Sequence, residues 1–154
     1  MDVELNLNTD TVMRAHPHPV LAVGPEVSLR EVFEKIRGQD DGSVVVCESE
    51  RVVGIFTERD ALRVMAENGS LDRPIRDVMI TPPVTVFEGE TVATAVRRMS
   101  AGGFRRLPVV DPDGRPLGML KVSGILHYLV ECFPKTVYNL PPVPQSAPSE
   151  RDGA

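Results

Sequence analysis

Apolar and polar positions follow two rhythms along this chain, and both rhythms occur twice. In "SLREVFEKIRG" the apolar residues Leu29, Val32, Phe33 and Ile36 recur at helical spacing and form one stripe. Ser28 and Glu31 begin it as a capping box, in which Ser28 accepts from the Glu31 amide and Glu31 reaches back. Gly38 stands where a helix end calls for positive φ. "SVVVCE" and "RVVGIFT" are apolar and β-branched, with polar Ser49 and Glu50 between them, which predicts a hairpin. "VLAV" predicts a short strand ahead of the first helix. "ERDALRVMAENG" predicts a second helix, with Ala61, Leu62 and Met65 on one side and Asn68-Gly69 at its end. The order is strand, helix, strand, strand, helix. It returns downstream as "VTVF", "TVATAVRRMSAGG", "RRLPVVD", "RPLGMLK" and "VSGILHYLVECF", with "DPDG" as a tight turn between strands.

Self-comparison turns this similarity into a repeat. "VLAVGPEVSLREVFEKI" lies over "PVTVFEGETVATAVRRM" at an offset of 63, Val20 over Pro83 and Ser28 over Thr91. After one extra residue near Gly114, "VVGIF" lies over "PLGML". A unit of ~50 residues buries too little to stand alone. Two sheets facing each other, with the helices outside, is the expected solution. The division is a lead-in at 1–10, a first repeat at 11–70, a second at 71–133 and a Pro-rich tail at 134–154, read as extended or disordered. "PIRDVM" in the linker is expected to form a short helical turn.

Composition narrows the function. With 154 residues and a formal net charge of −5, the chain lacks the basic face of a general nucleic-acid binder. No apolar run approaches the ~18 residues of a membrane span. The acidic start "MDVELNLNTD" lacks the layout of a signal peptide. Cys47 and Cys132 have no metal spacing, and a reducing cytoplasm is the expected location.

Two junctions carry the candidate chemistry. In "GIFTERDALR", Thr57 and Asp60 suit a helix N-cap and the positive end of the helix dipole. The same helix start gathers free N–H donors and attracts phosphate. In the second copy, "GMLKVSGILH", Lys121 and Gly124 stand in the matching places.

The repeat, with "VM" before each first strand, "RRLPVVD" leading into the second hairpin and "GIFTERD" at the last strand-to-helix junction, resembles a tandem pair of cystathionine-β-synthase (CBS) domains over about Thr11 to Phe133. The resemblance implies an α+β fold of two β-α-β-β-α repeats forming one pseudo-twofold pair, a Bateman-type module. It implies a non-catalytic regulatory role, with an adenosyl ligand in a cleft between the repeats. AMP or ATP comes first, then ADP, S-adenosylmethionine or NAD(H), and no cofactor is required. In the family the residue matching Thr57 contacts phosphate and that matching Asp60 holds the ribose. The partner strands supply "PVTVF" and "FRRLPV". Phe104, Arg105 and Arg106 match positions that carry His, Arg or Ser in the gamma subunit of AMP-activated protein kinase, where the arginine contacts phosphate. Ile55, Val84 and Phe87 are placed to line an adenine slot, and Arg59 is close enough in sequence to reach phosphate. The mirror cleft, with Lys121, Gly124 and the acidic "DDGSVV", is expected to hold a nucleotide weakly or not at all.

The helices "ALRVMAENG" and "ILHYLVECF" carry more apolar residues than one small sheet covers, so a homodimer through helices is expected, with output passing to an effector protein. The alternative is a structural dimerisation module without a ligand, in which Thr57 and Asp60 only cap a helix. His16 and His18 in "AHPHP" read as an ordinary loop, because two ligands are too few for a closed metal site. His127, on an apolar helix, reads as packing or interface. No nucleophile triad, carboxylate pair or Walker motif can be assembled for an enzyme.

Overall fold

The computed structural model describes residues 6–39 and 41–132. Asp40, the last residue assigned to the second repeat and the Pro-rich tail lie outside them. Each repeat has the expected elements. The first holds β1 (Ala22–Val23), α1 (Leu29–Ile36), β2 (Val44–Glu48), β3 (Arg51–Phe56) and α2 (Glu58–Ala66). The second holds β4 (Val86–Phe87), α3 (Val92–Gly102), β5 (Arg106–Val110), β6 (Pro116–Lys121) and α4 (Val122–Glu131). Two three-stranded sheets result, ordered β1-β2-β3 and β4-β5-β6, each with a parallel first pair and an antiparallel hairpin. The β2–β3 turn places both Ser49 and Glu50 at positive φ, which matches the twist of a tight hairpin.

Alternation along β2 sends Val44 and Val46 to one side and Val45 to the other. Val44 and Val46 pack with Leu29 and Val32 of α1 and Val64 of α2. Val45 and Ile55 pack instead against Met119 of the second sheet. The sheets therefore face one another and the helices cover the outer faces. Leu62 and Met65 do not join that cover. The buried face of α2 is Asp60 and Val64, while Leu62 and Met65 are 66% and 64% exposed.

The capping box at α1 forms only in part. Ser28 accepts from the Glu31 amide at 3.3 Å, but the Glu31 carboxylate turns to Lys35. The first-turn amides find other partners. Leu29 N–H donates to the Arg73 carbonyl and Arg30 N–H to that of Leu71, at 3.0 and 2.9 Å. The second repeat does the same in reverse: Val92 and Ala93 of α3 donate to the carbonyls of Asp10 and Leu7. Each repeat thus has its helix capped by the segment that leads into the other.

The exchange continues along both segments. The linker's short 3-10 turn, Ile75–Asp77, buries Ile75 in the first core, and Val12–Ala15 buries Val12 and Ala15 in the second. Ile80 then pairs with Ile55 on the edge of β3, and His18 pairs with Met119 on the edge of β6. Tyr128 of α4 donates its hydroxyl to Asp10, another tie across the exchange.

Gly124 marks the closest approach. A Cβ there would lie 2.6 Å from the Ala15 carbonyl oxygen, a backbone atom that cannot turn aside. Gly124→Ala should therefore destabilise the chain by about 1–3 kcal/mol, the usual overpacking cost, despite a helix-propensity gain of about 1 kcal/mol. Gly24→Ala, whose added Cβ meets nothing within 4 Å, should be close to neutral. Urea unfolding of the two variants checks both.

Candidate functional site

The exchanged linker builds a cleft. Ile80, held on the edge of β3, puts one wall beside the β3–α2 junction, and the turn after α3 supplies the other. The cleft has a volume of about 330 Å³. Ile55, Thr57, Arg59, Val84, Phe104, Arg105 and Arg106 line it, all of them expected from the sequence. Glu58, Ile80, Gly102 and Gly103 line it too. Ile80 was hidden because its position depends on the exchange. Gly102 has a steric role: a Cβ there would sit 2.1 Å from the Phe104 ring, so glycine lets that ring lie across the helix end.

Phe87, expected in the adenine slot, does not line this cleft. It pairs with Val110, four residues along β5 from Arg106, which is roughly 13 Å away at strand spacing. Its amide donates to Glu90, whose carboxylate takes two bonds from Arg98 at 2.9 Å each, so the corner is fixed there. The aromatic residue in the cleft is Phe104.

Asp60 also does not line the cleft. It is 1% exposed, and both oxygens are engaged. Oδ2 accepts from the Thr57 amide at 2.8 Å and the Thr57 hydroxyl at 3.0 Å. Oδ1 accepts from Arg63 at 2.7 Å. In this conformation Asp60 caps α2 and sets the Thr57 rotamer. The Thr57 hydroxyl donates to the Asp60 carboxylate and accepts from the Asp60 amide, which leaves one lone pair for another donor.

The three arginines are not equivalent. Arg59 and Arg105 are exposed and have no ion-pair partner among the described residues. Arg106 is 25% exposed and lies 3.1 Å from Asp41 and 3.8 Å from Glu58. No donor is aligned for a hydrogen bond to Asp41 Oδ1, so the Arg106 contact is one of charge. Asp41 Oδ2 holds Lys121 at 3.2 Å and accepts from the Ser43 hydroxyl at 2.8 Å. Asp41 thus meets two cations that are cross-strand neighbours on the second sheet, Arg106 of β5 and Lys121 of β6. Lys121 is committed to it, and Gly124 is pressed against the Ala15 carbonyl, which leaves no room for the acid that Asp60 supplies in the first copy.

Burial opposes charge on Asp41. The Ser43 and Lys121 hydrogen bonds and the charges of Arg106 and Lys121 outweigh it, so the carboxyl titrates below its ordinary value.

A family model for the CBS domain matches residues 11–67 and 75–131. An uncharacterized protein of Methanopyrus kandleri is 38% identical over 117 residues, covering 72% of this chain and 60% of that one. Another, of Acidianus ambivalens, is 33% identical over 113 residues, covering 73% and 68%. Among solved structures, a CBS domain protein from Pyrobaculum aerophilum complexed with AMP superposes with a TM-score of 0.71 at 24% identity, over 79% of this chain and 97% of that one. A CBS-domain protein from Agrobacterium tumefaciens gives 0.65 at 29% identity, over 76% and 89%. At such identity the AMP complex speaks for the fold alone.

A depressed Asp41 makes an acid-range prediction. The stability it contributes is present above the unfolded carboxyl value of 3.8 and is lost as pH falls through the lower folded value. Asp41→Asn should be less stable than the parent at neutral pH, and the gap should close in strong acid. Urea titrations across that range read it, and a gap that persists in strong acid would contradict the assignment.

Proposed function

The chain belongs to the CBS domain family, and on that premise we propose that it is a non-catalytic regulatory module that binds an adenine nucleotide, AMP or ATP, in the cleft between its repeats. One observation carries the reading: uncommitted positive charge and apolar walls meet in a single cleft. Arg59 and Arg105 supply the charge, and Ile55, Ile80, Val84 and Phe104 supply apolar surface. Phosphate needs cations and free N–H donors, and the α2 N-terminus offers the donors. Adenine needs an apolar slot, and the volume is within the ~300–1,000 Å³ of small-molecule sites. The Pyrobaculum aerophilum protein that shares the fold is complexed with AMP.

In this reading Arg105, Arg59 and the α2 N-terminus take the phosphate, and Arg106 joins them by leaving Asp41. Adenine lies between Ile55, Val84 and Phe104. Asp60 reaches the ribose when Arg63, half exposed, moves off Oδ1. S-adenosylmethionine and NAD(H) belong to the same adenosyl class. The ligand acts by binding two arrangements of the repeats, or of two chains, with different affinity. A homodimer through α2 and α4 would cover Leu62, Met65 and Leu126, and an effector protein in a reducing cytoplasm would receive the signal.

A second reading, a structural dimerisation module without a ligand, is favoured by the saturated hydrogen bonding of Asp60. Calorimetric titration with AMP, ADP, ATP, NADH and S-adenosylmethionine separates the two. The sensor reading expects one adenine nucleotide per chain. Arg105→Ala should weaken it tenfold or more, the ~1.5–3 kcal/mol of a charged hydrogen bond, and Phe87→Ala should leave it unchanged. No binding of any of the five by folded protein would leave the structural module as the function.

A further inference from the structure

His16, set apart in the sequence as one of two histidines in a proline-rich lead-in, does not meet His18. It meets α4. The Ala15 carbonyl packs against Gly124, so the lead-in lies directly on that helix. His16 follows in the left-handed conformation, φ 53° and ψ 63°, uncommon for a residue with a side chain. His127 and Glu131 stand one helical turn apart on the same face of α4. His16 Nε2 lies 3.0 Å from Glu131 Oε2, and His127 Nε2 lies 3.1 Å from Glu131 Oε1. The two rings meet edge to face with centroids 5.6 Å apart. His127 is therefore neither packing nor covered, but exposed and turned toward a second imidazole.

We propose that His16, His127 and Glu131 form a surface site for a divalent transition-metal ion of the zinc type. One ligand atom from each residue lies within 4.8 Å of the other two. Bonds of about 2.0–2.2 Å bring tetrahedral ligand atoms to roughly 3.4 Å from one another, a closure that three exposed side chains can make by small rotations. Two imidazoles and one carboxylate suit zinc, nickel or copper, whereas magnesium and calcium prefer oxygen alone. Three protein ligands leave one position for water. The ligands come from segments 111 residues apart, so a bound ion staples the exchanged lead-in to α4. None of the three lines the nucleotide cleft, so the site stands whether or not a nucleotide binds.

The test is calorimetric titration of the metal-stripped full chain with zinc chloride, without nucleotide, in a non-chelating buffer. One ion per chain at micromolar affinity is expected, with a rise in melting temperature. His16→Gln, His127→Gln and Glu131→Gln should each weaken binding at least ~tenfold, a loss that even supporting residues bring at known sites. Their metal-free melting temperatures should match that of the parent, since all three side chains are about half exposed or more. A variant with serine at both Cys47 and Cys132 should bind as the parent does. No zinc binding below millimolar, equal affinity in the histidine variants, or loss confined to the cysteine variant would each overturn the proposal.

Discussion

Four backbone hydrogen bonds set the architecture of this chain: those of Leu29 and Arg30 to the linker, and those of Val92 and Ala93 to the lead-in. A helix start leaves its first N–H groups without partners, and here each repeat depends on the other's approach segment to satisfy them. Because the segments cross, Ile80 reaches the edge of β3 and His18 the edge of β6. Glycine then stands opposite each crossing, Gly54 beneath Met79 and Gly118 beneath Pro17, where a Cβ would overlap. The facing sheets and the cleft follow from this arrangement. Ile80 is a wall of the cleft only because the linker is laid along β3.

The two strand-to-helix junctions of this twofold scaffold differ in the charge around them. Two uncommitted arginines line the first. In the second, the cation of Lys121 is neutralised by Asp41, and the helix start is closed against Ala15. Asp41 also draws on Arg106, so the acid that pairs with Lys121 restrains a cation that lines the cleft at Thr57. In the proposed reading, a phosphate that took Arg106 would change what Asp41 holds and so couple the first repeat to the second sheet electrostatically.

The sequence was legible where local chemistry decides the structure. The α1 stripe, the Ser28 cap, the positive φ at Gly38, the turn ending at Gly114 and the Thr57–Asp60 junction all come from residue type and spacing. The lining of the cleft by Ile55, Thr57, Val84, Phe104 and Arg105 was legible through the repeat and the family resemblance together. The exchange was not, because the backbone hydrogen bonds that direct it leave no side-chain pattern, and Val12, Ala15 and Ile75 do not show which core they enter. Phe87 lies away from the cleft lining, since reading a strand does not show how far along it the cleft lies. Arg106 looked like its neighbour Arg105 until Asp41, far away in sequence, came within reach. The face that α2 buries was set by Asp60, a carboxylate that sequence patterning counts as solvent-facing.

Inequality of the two clefts is the central claim, and a crystal structure of the chain grown with AMP tests it most directly. The account predicts nucleotide density between Thr57 and Phe104–Arg105, with none beside Lys121. Density beside Lys121, whether alone or equal in both clefts, would contradict it.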